Sequence, residues 1–492
     1  MADTEYSLDI ELIKRKAISG VVTFTLRTAF IQAFTFFATF VLTILLDPQI
    51  FGIFFVVSAL INLFIYFSDI GLAAALIQKK EEFQRKDLVT TFTIQQAIIL
   101  ILVGIGFGLS SKIASFYNLD IQGLLLLRVL LFSLVLSSLK TIPSIILERK
   151  LNFTRLVIPQ IAENLVFYTT VIILAYFKFG IASFTWAVLA RGLIGLILIY
   201  ILSPWRPAIG LDRLSAKKLI SFGIPFQLNS ILALLKDDLL TVFIGKILPY
   251  SQVGYIGWAQ KFAFLPLRFF MDNVIKVTFP AYSRLQDNKK ELSNAVEKSL
   301  FFVTFFVYPC IFGIMAIGPQ AISSIAGYSK WQPALPLLYF FAINALFASV
   351  NTTLTNTLFA IGKANIVLKL MVLWTVLTWT LTYILIFRLG YIGVGVSSAL
   401  VAASTTVIIY FVKRTIPLNV IKNIIGPFGI STVMFFVVSL LTNHYGNSAF
   451  GLILSILTGI LIYFGLSLLI YRERLINQGL VILRSIVLNR NE

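Results

Sequence analysis

The residues best placed to do chemistry are charged side chains set inside long apolar stretches, where each costs roughly 2.5–3.5 kcal/mol at a helix centre. Lys261, Arg268, Asp272 and Lys276 are separated by 7, 4 and 4 residues, so on a helix they fall along one face. A charged stripe cannot face lipid, and two lysines and an arginine against one aspartate suit an anion such as a phosphate. A simpler arrangement uses the same residues: Arg268 pairs with Asp272 while Lys276 reaches the interface. Arg27 lies well inside the first apolar segment, with either Asp69 of the second segment or a bound anion as its partner. Lys236 stands beside Asp237 and Asp238, one heptad after Asn229. The two aspartates either hold a coupling cation or neutralise Lys236 and its cationic neighbours. Asn344, Asn351 and Thr355, at spacings of 7 and 4, form a polar stripe able to bond sugar hydroxyls or a neighbouring helix. Lys140, Glu163 and Arg191 are further charges inside apolar segments.

The residue inventory argues against an enzyme, and it implies no cofactor or metal. His444 is the single histidine and falls in a connecting loop, so neither a zinc site nor a Ser-His-Asp triad is expected. Cys310 is the single cysteine, set in an apolar run, and reads as a small packing residue. Gly362-Lys363 is followed by Ala364 and lacks the earlier glycine of a phosphate-binding loop. Gly104, Gly106 and Gly108 lie in an apolar segment, where small residues permit close helix packing.

The elements that must position these residues are membrane helices. Of 492 residues, 58% are hydrophobic and 12% charged, about half the charge of a soluble domain. The mean hydropathy is +0.93. The apolar runs are far longer than the roughly 10 alternating residues of a barrel strand. The expected fold is an all-α membrane protein with segments near 18–46, 51–78, 88–111, 121–147, 157–177, 180–202, 219–247, 250–280, 299–318, 331–361, 363–388, 391–412, 423–442 and 448–471, fourteen in all. Several exceed the length that a straight span needs, so tilts or kinks are expected. Pro143, Pro159, Pro225, Pro266 and Pro309 are candidate hinges.

The net charge of +19 follows topology and does not suggest nucleic acid, because the cations punctuate the apolar segments. With the N-terminus inside, one set of loops holds only Lys112, Lys178, Lys246, Lys330 and Arg388, and the opposite set holds all other loop Lys and Arg. That alternation fits an even number of helices with both ends in the cytoplasm of a cell-membrane protein. The chain divides into an N-terminal lobe, 1–202, a cytoplasmic connector, 203–218, a C-terminal lobe, 219–415, and a last pair of helices with a tail, 416–492. The two lobes look like copies. Leu46-Asp-Pro-Gln-Ile-Phe-Gly52 and Leu248-Pro-Tyr-Ser-Gln-Val-Gly254 occupy the same hairpin, displaced by 202 residues, and Asp69 and Asp272 follow at a displacement of 203. Six intervening helices make this a parallel repeat, with a central cavity between the copies.

These hairpins, together with Phe67-Ser-Asp-Ile-Gly71, Leu76-Ile-Gln78, Val253-Gly-Tyr255 and Phe279-Pro-Ala-Tyr-Ser-Arg-Leu285, resemble the Wzx-type polysaccharide flippases. The likeness is greatest to the colanic acid and teichuronic acid exporter branch, within the superfamily that also holds MATE antiporters and the lipid II flippase. It covers about Ala17 to Arg414. The resemblance implies two six-helix lobes around a cavity and alternating access, with a polyprenyl-pyrophosphate-linked oligosaccharide as the substrate. A polysaccharide polymerase and glycosyltransferases are the protein partners it implies. Arg27, Lys236, Lys261, Arg268, Asn344 and Asn351 are then candidates for substrate contact, and Asp69, Asp237, Asp238 and Asp272 for ion coupling or ion pairing. Lys79 and Lys80 are followed by Glu81 and Glu82 where lipid II flippases carry an arginine-rich helix end, which argues against lipid II as the cargo. Two alternatives remain: a MATE-like cation-coupled antiporter and a membrane-embedded polymerase or ligase. The first favours carboxylates, whereas the helices carry nine basic residues against five acidic. The second needs a large outer loop, and these are short.

Overall fold

Apolar stretches in a medium without water must satisfy their backbone internally, and helices do so within one segment. The computed structural model describes residues 27–68, 71–78, 84–228, 231–445 and 447–488. Asp69, Asn229, Lys79 and Lys80, and the basic residues 14–16 lie outside this set, as does the side chain of Asp272. Every regular element among the described residues is a helix, with no strand. The first half comprises α1 (Arg27–Leu45), α2 (Pro48–Ser68), α3 (Leu72–Gln78), α4 (Arg85–Tyr117), α5 (Ile121–Leu139), α6 (Thr141–Arg149), α7 (Phe153–Tyr176) and α8 (Ala182–Leu202). There follow α9 (Arg213–Leu228), α10 (Ile231–Ile247), α11 (Tyr250–Arg284), α12 (Lys289–Ser324), α13 (Leu335–Ala360) and α14 (Ala364–Leu389). The chain ends with α15 (Ile392–Ala402), α16 (Thr405–Lys413), α17 (Val420–Tyr445) and α18 (Ala449–Leu488).

Twelve spans among the described residues are long and apolar enough to cross a membrane. The two other expected segments are helical but differ in kind: α10 carries Lys236, Asp237 and Asp238, and α11 carries Lys261, Arg268, Asp272 and Lys276. Several long segments are broken. The second is split into α2 and α3, with Gly71 at φ +76, a conformation that glycine adopts without strain. The fourth breaks at Lys140 between α5 and α6, and the twelfth breaks between Ala402 and Thr405. By contrast, α11 stays one helix of 35 residues with Pro266 and Pro280 inside it. Beyond a non-helical Tyr471, α18 continues into the tail.

The chain forms two compact units, 1–257 and 258–492, which part inside α11. In the first unit α2 packs on α10 and on the start of α11 through glycines. A Cβ at Gly52 would lie 1.8 Å from the Tyr250 carbonyl oxygen, and one at Gly254 would lie 2.0 Å from that of Pro48. The contact is reciprocal, each glycine meeting a carbonyl oxygen of the other segment. Val56 fills the notch at Gly245, and Phe55 the one at Gly257. Close backbone approach through small residues is how membrane helices associate when lipid supplies no hydrophobic drive.

At the other end of this unit the connector is strapped to α4. Trp205 stacks edgewise on Phe92 at 4.9 Å, and Gly210 and Asp212 donate backbone N–H bonds to Thr93 and Thr90 at 3.0 and 2.9 Å. Buried Asp87 caps α4, accepting from the Gln84 N–H at 2.9 Å and from the Ser215 hydroxyl at 2.7 Å. In the second unit, α12 packs against α13, α17 and α18. A core of Leu292, Val296, Leu300, Leu354, Leu358 and Ile408 lies at one end. Fully buried Trp331 is stacked at 5.6 Å on Trp258 in another part of the unit.

Gly52→Ala and Gly254→Ala are each expected to cost about 1–3 kcal/mol through overpacking. Both should lower the unfolding temperature of the detergent-solubilised protein, whereas alanine at the unobstructed Gly104 should not. The backbone and side-chain hydrogen bonds of Ser215 hold the Asp212 carboxyl below its usual range. That contribution is present above the ordinary carboxylate pKa and is lost as pH falls through the depressed one. Protease nicking within 203–212 should therefore rise in acid, and Asp212→Asn should remove this part of the pH dependence.

Candidate functional site

In the first unit, Arg27 opens the described part of α1. Among the described residues its Nε is buried without a hydrogen-bond partner, and no ion pair neutralises it. The alternatives from sequence were an Asp69 pair or a bound anion, and among the described residues the charge stands uncompensated. On α10, Lys236 Nζ lies 3.7 Å from the neighbouring Asp237 carboxylate, with both side chains substantially exposed. Asp238 points the other way and accepts a 2.8 Å bond from Asn62 of α2. The consecutive aspartates thus serve different partners: one balances Lys236, the other ties α10 to α2. Among the described residues no group of three His, Cys, Asp or Glu could hold a metal ion.

In the second unit, α11 carries Lys261 and Arg268 close enough for their charges to repel, as the shared-face spacing predicts. Arg268 is exposed and makes no ion pair with a described residue. α13 runs alongside α11 in the same direction, with Phe264 near Phe341 at a 6.5 Å centroid separation and Asn356 donating to Thr278 at 3.1 Å. The cationic stripe and the asparagine stripe therefore belong to neighbouring helices. Asn344 is committed to its own unit, its amide donating to the Ser398 carbonyl at 2.8 Å and hydroxyl at 2.7 Å. That is the interhelical use of the stripe. Asn351 keeps a buried Oδ1 without a partner among the described residues.

A third cluster brings together charges that local spacing does not link. Lys140, at the break between α5 and α6, donates a 2.6 Å bond to Glu163 of α7. Arg191 of α8 lies 3.7 Å from the other oxygen of that carboxylate and 5.9 Å above the Phe167 ring. Gly195, one turn beyond Arg191, leaves the space that the carboxylate occupies, since a Cβ there would lie 1.8 Å from Glu163 Oε1. Around the cluster, Gln95 bonds Thr141 at 3.1 Å and Gln96 bonds Ser138 at 2.9 Å. Only tertiary packing joins these residues, so the one available sequence signal was that each lone charge in an apolar helix requires a partner.

Comparison with known proteins shows the family and the fold. The family model described as "Polysaccharide biosynthesis protein" matches residues 41–336, more than half the chain. The chain belongs to the polysaccharide biosynthesis protein family. Within reach of this family, the chain is similar to "Lipopolysaccharide biosynthesis protein WzxC" of Escherichia coli K12, with 23% identity over 410 residues and 81% of each chain covered. It is also similar to "Succinoglycan biosynthesis transport protein ExoT" of Rhizobium meliloti, with 23% identity over 328 residues, 66% of this chain and 65% of the relative. Among solved structures it matches the inward closed conformation of the lipid II flippase MurJ with a TM-score of 0.71 and 18% identity, covering 94% of this chain and 99% of that one. An inward-facing MATE family transporter gives a TM-score of 0.58 at 16% identity, with 77% and 94% covered. These likenesses fix the fold, and they bear out the resemblance read from the hairpin motifs. This member of the polysaccharide biosynthesis protein family is a multi-pass membrane protein.

Glu163→Ala is expected to cost about 3–5 kcal/mol, because it strands Lys140 without its carboxylate. Gly195→Ala should act in the same direction by evicting Glu163, and a drop in unfolding temperature and folded yield for both would register it. A stable, fully expressed Glu163→Ala protein would show that the triad is not what retains these charges.

Proposed function

We propose that this protein is a flippase that moves a polyprenyl-pyrophosphate-linked oligosaccharide across the cytoplasmic membrane by alternating access, for the synthesis of a surface polysaccharide. The observation that carries this reading is the pair Arg27 and Arg268: guanidinium groups on helices of an apolar bundle with no carboxylate among the described residues to balance them. Such groups recognise phosphate in two-pronged fashion. Lys236, Lys261 and Asn351 supply further cationic and polar contacts, and Asp237, with Asp69 and Asp272, supplies the candidates for ion coupling. The names carried by the family and by relatives such as WzxC and ExoT support a transport role in polysaccharide biosynthesis. In this reading α10 and α11 complete fourteen spans, both termini are cytoplasmic, and the lobes are 1–202 and 219–415, joined by the connector. No chemical step is required of the protein. A polymerase and glycosyltransferases would act on the same lipid before and after it.

The excess of basic over acidic groups in the helices separates this reading from a MATE-like antiporter of small cations, whose cavity needs the opposite balance. The test is reconstitution: vesicles containing the protein should move fluorescently labelled undecaprenyl-pyrophosphate oligosaccharide into the outer leaflet, and export of an organic cation in its place would overturn the proposal. Arg27→Ala and Arg268→Ala should each reach the membrane normally and reduce that movement at least about tenfold, the order expected for a lost charge-assisted bond. Unchanged rates in both variants would refute the assignment of these residues.

A further inference from the structure

Arg191 is not accounted for by its ion pair. It stands near the middle of α8, yet its side chain is 49% exposed and touches Glu163 only through Nε at 3.7 Å. The carboxylate is already engaged by Lys140 at 2.6 Å. The guanidinium makes no hydrogen bond to any described residue. The lipid-facing stripe of α8 is marked by exposed Trp186, Leu193, Ile197 and Ile201, spaced by 7, 4 and 4. At 3.6 residues per turn, Arg191 lies about a third of a turn away from that stripe. A half-exposed charge at this depth must face water, because hydrocarbon would cost it several kcal/mol.

The surface beside it is aromatic. Tyr168 of α7 lies within electrostatic range of Arg191, and its phenol lies against Thr35 and Thr39 of α1. Its ring meets Phe34 edge-on at 6.1 Å, and Phe34 stacks on half-exposed Phe30 at 6.3 Å. Arg27, Phe30 and Phe34 fall on one face of α1 at spacings of 3 and 4. Within the first unit, an arginine that no described residue neutralises, a strip of rings and a second arginine therefore follow one another. The strip from Arg27 to Phe34 spans roughly 10 Å of helix rise, about the length of two sugar rings.

We propose that this α1/α7/α8 wall is a subsite for an acidic sugar of the transported oligosaccharide. Arg191 grips the sugar carboxylate, and the Phe34 and Tyr168 rings support the apolar face of the sugar. The inference rests on the flippase reading and narrows it: Arg27 answers the pyrophosphate common to all such lipids, and Arg191 answers the glycan. A planar guanidinium held only by a 3.7 Å approach to Glu163 and by the Phe167 ring can turn both terminal nitrogens to a carboxylate without stranding Glu163, which keeps Lys140. A neutral glycan would leave that fork unused.

The test uses the full-length protein in nanodiscs and three lipids: undecaprenyl pyrophosphate alone, the same lipid carrying a glucuronate-containing oligosaccharide, and its counterpart with the uronate reduced to glucose. Wild type should prefer the acidic lipid to the reduced one. Arg191→Gln should weaken binding of the acidic lipid about tenfold and leave the other two unchanged, and Arg191→Lys should retain part of the preference. Should Arg191→Gln fail to fold, Arg191→Lys and Phe34→Leu carry the comparison. Equal loss on all three lipids would mean a structural role and overturn the proposal, as would equal affinity of wild type for the acidic and reduced forms. Failure of wild type to bind any of the three would sink the flippase reading itself.

Discussion

The constraint on which this structure depends is that hydrocarbon offers charged and polar groups no water. Every ionised side chain inside the bundle must be met by another group or by an aqueous space. The intramembrane charges sort accordingly. Lys140 and Glu163 are joined at hydrogen-bond distance, Lys236 faces Asp237, and Asp238 is met by the Asn62 amide. Arg27 and Arg268 have no such answer within the described protein. The balanced groups hold helices together, and the unbalanced ones are where the proposed flippase reading puts the anion.

The backbone obeys the same constraint at the helix breaks. Where α5 gives way to α6, the carbonyl of Leu139 accepts from the Tyr200 hydroxyl and that of Lys140 from the Ser144 hydroxyl. Pro143 has no N–H to offer the Leu139 carbonyl, so the Tyr200 hydroxyl replaces that helix bond, whereas the Lys140 carbonyl keeps the Ser144 N–H at 3.1 Å. Supplying the missing partner is the condition for irregular backbone at membrane depth. Lys140 at this break is also the cation that anchors Glu163. The discontinuity and the charge cluster are therefore one feature: an interrupted helix supplies both the room and the local polarity for an ion pair.

The helical class and most segment positions were legible in the sequence, because roughly 20 apolar residues leave a signal that survives any tertiary arrangement. The shared-face spacing of Lys261 and Arg268 was legible for the same reason, since one helix fixes it. The break at Gly71 was not, because apolar composition runs straight through it and the second segment reads as a single span. The break in the fourth segment was signalled only by Pro143, a candidate hinge three residues beyond the break at Lys140. The early start of α12, at Lys289, was hidden by its charged first turns. The cluster of Lys140, Glu163 and Arg191 was visible as three isolated charges but not as a cluster, because the notch at Gly195 that seats the carboxylate exists only after α7 and α8 pack. Asn344 shows the opposite limit: its spacing with Asn351 suggested one stripe with one purpose, whereas packing against α15 commits the first and not the second.

The crossing of α2 with the start of α11 was half foretold, since the repeated hairpin motif implied equivalence and gave no hint that the two copies touch. Their meeting places a glycine of each copy against the main-chain oxygen of the other, the arrangement of weak Cα–H···O contacts at tight helix crossings. Such a seam is cohesive only through proximity. Because each segment supplies both a glycine and an oxygen, a side chain added at either glycine would press on the crossing that both contacts share.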